Sequence, residues 1–346
     1  MDRTAAQDTL TLSVAEVEQL AFDALCASGT FAPNARSVAR SIAAAEADDI
    51  RSHGLLRLPT YCAHVRCGKV DGRAQPSVSQ LRSAALSVDA RTGFAHPAID
   101  GGFLQLVPAA REHGIAALAV TNSYNCGVVG HHVERLASQG FIALSFVNTP
   151  AAIAAWGGKR PLFGTNPLAF AAPRHEREPL VVDQSSSVVA RGEVMLHAAQ
   201  GREIPPGWAL DASGAATTDP NAALAGSMLP AGGYKGAALA LVIEILAATL
   251  TAAHHSFEAS SFVTDAGGPP RTGQFFIALD PGAFGRDFGP RLEALLAMIE
   301  ADPAVRLPGA RRLAARARSA SHGVTLPRTL HERIRSLLGD SRSPDA

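Results

Sequence analysis

The chain has 346 residues, 47% of them hydrophobic and 18% charged, and its 31 basic and 31 acidic side chains cancel to a formal net charge of zero. That length exceeds what one core usually holds, so two lobes are expected, with enough apolar surface to fill both. Basic residues concentrate only between Arg306 and Arg318, which leaves no broad cationic face for counterion-driven binding and argues against nucleic acid as a partner.

The opening MDRTAAQDTL lacks the apolar core of a secretion signal, and Cys26, Cys62, Cys67 and Cys126 make no CxxC pair, so reduced thiols in a cytoplasm are expected. Ser13-Val14-Ala15-Glu16 reads as a capping box opening a helix that stops by Gly29. A second helix is expected from about Asn34 to Asp49, and a third begins in Arg51–Tyr61 and ends by Gly68. Strand-type apolar runs follow at Ala84–Ala90, Ile115–Asn122, Phe141–Asn148, Leu168–Ala172 and Leu180–Asp183, with helical patterns at Pro97–His113 and Val128–Gln139. The core is therefore α/β or α+β. Ala237–Ala253, the longest apolar stretch, contains Glu244 and reads as a buried helix instead of a membrane span.

Within Arg51–Tyr61 a hydroxyl, an imidazole, a guanidinium and a phenol crowd into eleven residues. Ser52 and His53 can form a relay in which the hydroxyl orients an imidazole that passes a proton near neutral pH. If a helix follows Gly54, then His53, Arg57 and Tyr61 share one face, and the guanidinium can hold a carboxylate. An amphipathic helix with a capping serine and solvated basic residues is the plain alternative. No strand is followed by GxGxxG and no GxxxxGK[ST] occurs, so a nucleotide would be held by other turns. Asn125–Val129, Gly164–Pro167 and Gly232–Gly236 are candidates, the last with Lys235 just ahead of a helix.

Arg51-Ser52-His53-Gly54 with Arg57-Leu58 and Tyr61, then Gly157-Gly158, Gly164-Thr165-Asn166-Pro167, Trp208–Asp211 with Thr217–Pro220, and Lys235-Gly236 resemble, in order and spacing, the malate/L-lactate dehydrogenase type 2 family. Val189–Glu193, Gly201–Pro206, the tail Arg306–Arg312, Ala317–Ser319 and His322–Val324 look most like its Δ1-piperideine-2-carboxylate/Δ1-pyrroline-2-carboxylate reductases. The resemblance implies an NAD(P)-dependent oxidoreductase with a non-Rossmann nucleotide-binding fold, a largely antiparallel sheet and a helical dimerisation region, without a metal. It implies an N-terminal helical region over 1–80, a sheet-containing catalytic core over 81–285 and a helical return over 286–346. By matching position, Ser52, His53 and Glu193 would form the proton relay, although related reductases carry aspartate at the third place. Arg57, Thr165 and Arg191 would hold the substrate. Asn125, Cys126, Gly127, Val128, Val129, Asp183, Gln184, Ser185, Lys235, Arg306, Leu307, Pro308, Gly309, Ala310, Arg311 and Arg312 would contact the nucleotide.

One departure bears on chemistry, because family members usually place a histidine where Asn125 stands. Hydride addition to a 2-oxo acid creates an alkoxide that needs a proton donor, whereas a cyclic imine can enter already protonated. The sequence therefore favours NADPH-dependent reduction of a cyclic imino acid, Δ1-pyrroline-2-carboxylate or Δ1-piperideine-2-carboxylate, to L-proline or L-pipecolate in a homodimer. A 2-hydroxy-acid dehydrogenase of the malate, lactate, sulfolactate or ureidoglycolate type is the alternative, and a nucleotide-binding protein without catalysis is the non-enzyme reading.

Overall fold

The computed structural model describes residues 8–339, so most of the opening decapeptide lies outside the described residues. Strand β1 (Thr9–Leu12) leads into α1 (Val14–Ala27), where the capping box forms as expected: the Ser13 hydroxyl accepts the Glu16 amide, and the Glu16 carboxylate accepts the Ser13 amide. Helix α2 (Ala32–Ala47) follows, started by Pro33 in its first turn, where a missing N–H costs nothing. The next expectation needs correction. Arg51–His53 and Leu55–Arg57 are two 3₁₀ turns, and α3 begins only at Leu58 and runs to Arg66. Glu46, projecting from α2, explains the break: its buried carboxylate accepts the Leu55 amide at 2.6 Å, and a β-carbon on Gly54 would collide with it. Burial pushes the Glu46 carboxyl up.

The chain then builds β2 (Ser77–Arg82), β3 (Ala85–Asp89), α4 (Ala95–His113), β4 (Ile115–Ser123), α5 (Val129–Ala137) and β5 (Ile142–Val147). After β6 (Ile153–Ala154) and β7 (Pro161–Phe163) come β8 (Leu168–Arg174), β9 (Arg177–Gln184) and α6 (Arg191–Ala199). A short run of β10 (Ala209–Leu210), β11 (Ala216–Thr217), α7 (Pro220–Ala225) and β12 (Ser227–Met228) leads to α8 (Tyr234–Glu244), which ends in a π-helical turn at Ile245–Thr249. The remainder is β13 (Thr272–Leu279), α9 (Pro281–Phe284), α10 (Phe288–Glu300), α11 (Ala310–His322), β14 (Val324–Pro327) and α12 (Arg328–Gly339).

Seven strands form the main sheet in the order β2-β3-β4-β13-β5-β8-β9, in which only β3 and β4 pair in parallel, joined by α4. Its centre is β13, which the sequence reading missed. Phe276 and Ala278 face the core under α4 and α5, while Phe275 and Ile277 face the α8 side, so both faces of the strand are apolar. A five-stranded sheet of order β11-β10-β12-β6-β7 has its own core around Ile153, Phe163, Val194, Ala209 and Met228, and forms a small lobe built from two segments, one between β5 and β8 and one between β9 and α8. The third core belongs to α1, α2 and α3, closed by α12 and by antiparallel pairing of β1 with β14.

The apolar faces of Ser13–Asp49 are consumed inside this chain, with Val17, Ala21, Ala24, Leu25, Val38 and Ile42 buried. The Ala237–Ala253 stretch, read as buried, instead shows Leu241, Val242, Ile245 and Leu250 at its surface. Among the described residues no helix is long and apolar enough to cross a membrane.

Candidate active site

Because β4, β5 and β9 run one way and β8 and β13 the other, one end of the large sheet gathers the loops after the first three and before the last two. A cleft of about 1420 Å³ opens there. Its walls are the 3₁₀ segment, the small lobe at Ala190–Glu193, the loop Ser256–Val263 and the C-terminal segment from Arg306 to Arg318. Ser52, His53, Arg57, Asn125–Val129, Thr165, Asp183–Ser185, Arg191, Glu193, Arg306–Gly309, Arg311 and Arg312 all line it. Lys235 and Ala310 do not. Lys235 is exposed at the start of α8, and Ala310 is the first residue of α11 behind the lining Gly309.

In the cleft Ser52 Oγ lies 3.1 Å from His53 Nδ1. The imidazole is pushed down to about 4, first by burial and then by the positive charge of Arg57 and His131, so it stands neutral at pH 7. Arg57 spends only Nε, on the Ser52 carbonyl at 3.0 Å, and Arg191 only one amino group, on the Leu224 carbonyl at 3.2 Å. Neither guanidinium has a carboxylate partner among the described residues. Thr165 is fixed by two bonds to the Thr149 hydroxyl. Glu193 departs from the expected relay. It sits in the first turn of α6, exposed and without a side-chain hydrogen bond, and only its neighbour Gly192 abuts Ser52.

Asn125 is oriented unambiguously. Its Oδ1 accepts from the Tyr61 hydroxyl at 2.7 Å and from the Gly127 amide at 2.8 Å, and an amide N–H can only donate, so Nδ2 is left as the free donor. Burial pushes the Tyr61 phenol up to about 12, which keeps it a donor. The following turn offers fewer amides than its glycines suggested. Asp183 Oδ2 takes the Gly130 amide at 2.7 Å, and burial pushes that carboxyl up.

The arginines of the cleft divide. Arg312 is committed to a double bond with Glu134, at 2.6 and 3.0 Å, and reaches Asp48 at 3.4 Å, so it is not the free cation expected. Arg306, Arg311 and Arg318 are exposed and carry no ion pair among the described residues. Arg318 has no role assigned by sequence; its spacing of seven from Arg311 on one helix is the signal that places it on the same flank. Asp48, Thr149, Gln274 and Phe262 also line the cleft and carried no motif that would have found them. Among the described residues no group of three metal-ligating side chains occurs.

The malate/L-lactate dehydrogenase family model matches residues 12–335. The chain belongs to that family. It is 48% identical over 325 residues to a (2R)-3-sulfolactate dehydrogenase (NADP(+)) of Chromohalobacter salexigens, covering 94% of this chain and 97% of that one. It is 42% identical over 334 residues to a Δ1-pyrroline-2-carboxylate reductase of Ancylobacter novellus, covering 95% and 98%. The crystal structure of Δ1-piperideine-2-carboxylate reductase from Pseudomonas syringae superposes with a TM-score of 0.90 at 39% identity, over 95% of this chain and 99% of that one. This family member is therefore an oxidoreductase by descent, and its cleft is lined by the predicted site residues other than Lys235 and Ala310.

Proposed function

We propose that the protein reduces the C=N bond of Δ1-pyrroline-2-carboxylate or its six-membered homologue with NADPH, giving L-proline or L-pipecolate. The observation that carries this reading is the fixed amide of Asn125. It donates a hydrogen bond but cannot surrender a proton, and His53, which lines the same cleft, stands neutral. An alkoxide forming here would lack a proton source, whereas a protonated cyclic imine brings its own. Hydride added at C2 neutralises the iminium charge and leaves the proton on nitrogen, where His53, steadied by Ser52, accepts the N–H. Arg57 and Arg191 would fix the carboxylate. Glu193 would join the relay through a small shift of α6 toward Ser52.

The nicotinamide nucleotide supplies the hydride when bound. The chain fits it: Arg306, Arg311 and Arg318 offer unpaired charge to a phosphate, and Asn125–Val129 and Asp183–Ser185 line the same cleft, outside any Rossmann glycine pattern. The assembly would be a homodimer. Tyr234 and Leu241 on the exposed flank of α8, with Ile245 in the turn that follows, recur at near-helical spacing and continue to Trp156, whose ring lies 6.3 Å from that of Tyr234, an exposed apolar stripe that a second copy would cover.

A second reading has its own support. The 48% identical relative is a sulfolactate dehydrogenase, and two unpaired guanidiniums can take two acid groups. Initial rates with both imines, pyruvate, oxaloacetate, sulfopyruvate and 3-sulfolactate, each with NADP(H) and NAD(H), separate the two. Turnover confined to imines with NADPH supports the first reading, and turnover of sulfolactate with NADP⁺ replaces it by the second.

A further inference from the structure

Helix α11 carries four arginines on two flanks. Arg311 and Arg318, seven apart, line the cleft unpaired, while Arg312 and Arg316, four apart, enter a closed network. Arg316 donates to Asp48 through Nε at 2.7 Å and Nη2 at 2.8 Å, and to Glu134 through Nη1 and Nη2, both at 3.0 Å. Arg312 grips the same Glu134 by a fork and touches Asp48. His131 Nε2 closes the ring on Asp48 at 2.8 Å. Two carboxylates thus balance two guanidiniums, and Asp48 is fully enclosed.

The elements joined are those that build the cleft. Asp48 ends α2 just before Ser52 and His53, and His131 and Glu134 lie on α5, whose start is the Asn125–Val129 turn. Helix α11 has little else to hold it. Ala315 is its one buried residue, and beyond the arginines the Ser319 hydroxyl bonds the Ala47 carbonyl at 3.0 Å.

We infer that Glu134, with Asp48, is a positioning residue for the nucleotide phosphate. It docks α11 by its inner arginines so that Arg306, Arg311 and Arg318 present their charges to the cleft. The inference rests on the nucleotide reading above. It adds that selectivity between NADPH and NADH depends on a carboxylate that touches neither.

The test measures NADPH and NADH dissociation constants by calorimetry, and trypsin cleavage at α11, for the full chain and for Glu134→Gln and Glu134→Asp. Glu134→Gln should weaken NADPH by about tenfold or more, equivalent to about 1.4 kcal/mol. NADH should change little, and α11 should become a trypsin target. Glu134→Asp, which keeps the charge, should recover most of the NADPH affinity. Equal weakening of both nucleotides, or unchanged NADPH binding with α11 still resistant, overturns the inference. If Glu134→Gln does not fold, Arg316→Lys keeps the charge and loses the fork, and is held to the same two readouts. A parent protein that binds NADH as tightly as NADPH defeats the phosphate reading itself. Trypsin alone then decides whether Glu134 docks the helix.

Discussion

At the scale of single residues, His53 and Asn125 decide what chemistry the cleft can perform. His53→Ala should lower kcat for imine reduction by about 10²–10⁴-fold, the usual range for a group that manages a proton. The NADPH dissociation constant should stay level, and a variant with near-parental turnover would show that solvent does this work. Since His53 must be neutral to accept the substrate N–H, and its proton leaves at about 4, kcat/KM should be flat around neutrality and fall as the pH approaches 4. Asn125→His is expected to keep imine reduction and to gain weak turnover of a 2-oxo acid, because a titratable donor then stands where an alkoxide develops. No gain with pyruvate or oxaloacetate would mean that the substrate oxygen lies elsewhere. In a parallel Asn125→Ala variant the buried Tyr61 hydroxyl loses its acceptor, at a stability loss of about 1–3 kcal/mol visible in chemical denaturation.

At the scale of elements, α11 shows why a cluster of arginines in sequence is not a cluster of free charges in space. Arg312 and Arg316 are neutralised by Glu134 and Asp48: against the upward push of burial, both guanidiniums hold the Glu134 carboxyl down, and His131 together with Arg316 holds Asp48 down to about 2. Breaking such a buried pair strands a charge and destabilises by roughly 3–5 kcal/mol. Arg312→Ser should therefore lower the melting temperature and, by loosening α11, weaken NADPH more than NADH. The double variant Arg311→Ser, Arg318→Ser should leave stability near parental and raise KM for NADPH far more than for NADH, since both side chains are exposed and unpaired. Equal rises in both KM values would remove the phosphate role from this flank.

Across the whole molecule, buried histidines set the response to acid. His96 and His132 are almost fully enclosed between α4, α5 and the sheet, and burial pushes them from the ordinary 6.5 down to about 4 and about 3. Between those values and 6.5 the unfolded chain binds protons that the folded chain refuses. Their contribution is thus complete above pH 6.5 and declines as the pH falls toward 4. Asp48 acts lower, with its share lost only as the pH drops from 3.8 toward 2, while the raised carboxyls of Glu46 and Asp183 work in the opposite sense. Neither ring nitrogen of His96 has a hydrogen-bond partner, so His96→Leu removes the titration without removing a bond. The unfolding free energy of this variant should fall less between pH 6.5 and 4 than that of the parent, by up to about 3 kcal/mol. Parallel pH curves would show that His96 takes its proton in the folded state.

The sequence by itself determined the local and periodic features: the capping box at Ser13, α4 and α5 to within two residues at each end, the large-sheet strands β3, β4, β5, β8 and β9, and the Arg51–Tyr61 segment as a wall of the cleft. These follow from signals within a few residues of each other, and the family resemblance added the identity of positions far apart. The tertiary structure decided the rest, because the deciding partners are remote in sequence. Glu46 turns an expected helix into two 3₁₀ turns, β13 enters the centre of the sheet about 125 residues after the strand beside it, and Glu134 captures Arg312 from 178 positions away. Whether a guanidinium is free, an imidazole neutral or an apolar face covered depends on what the fold brings against it, and one-dimensional spacing does not carry that information.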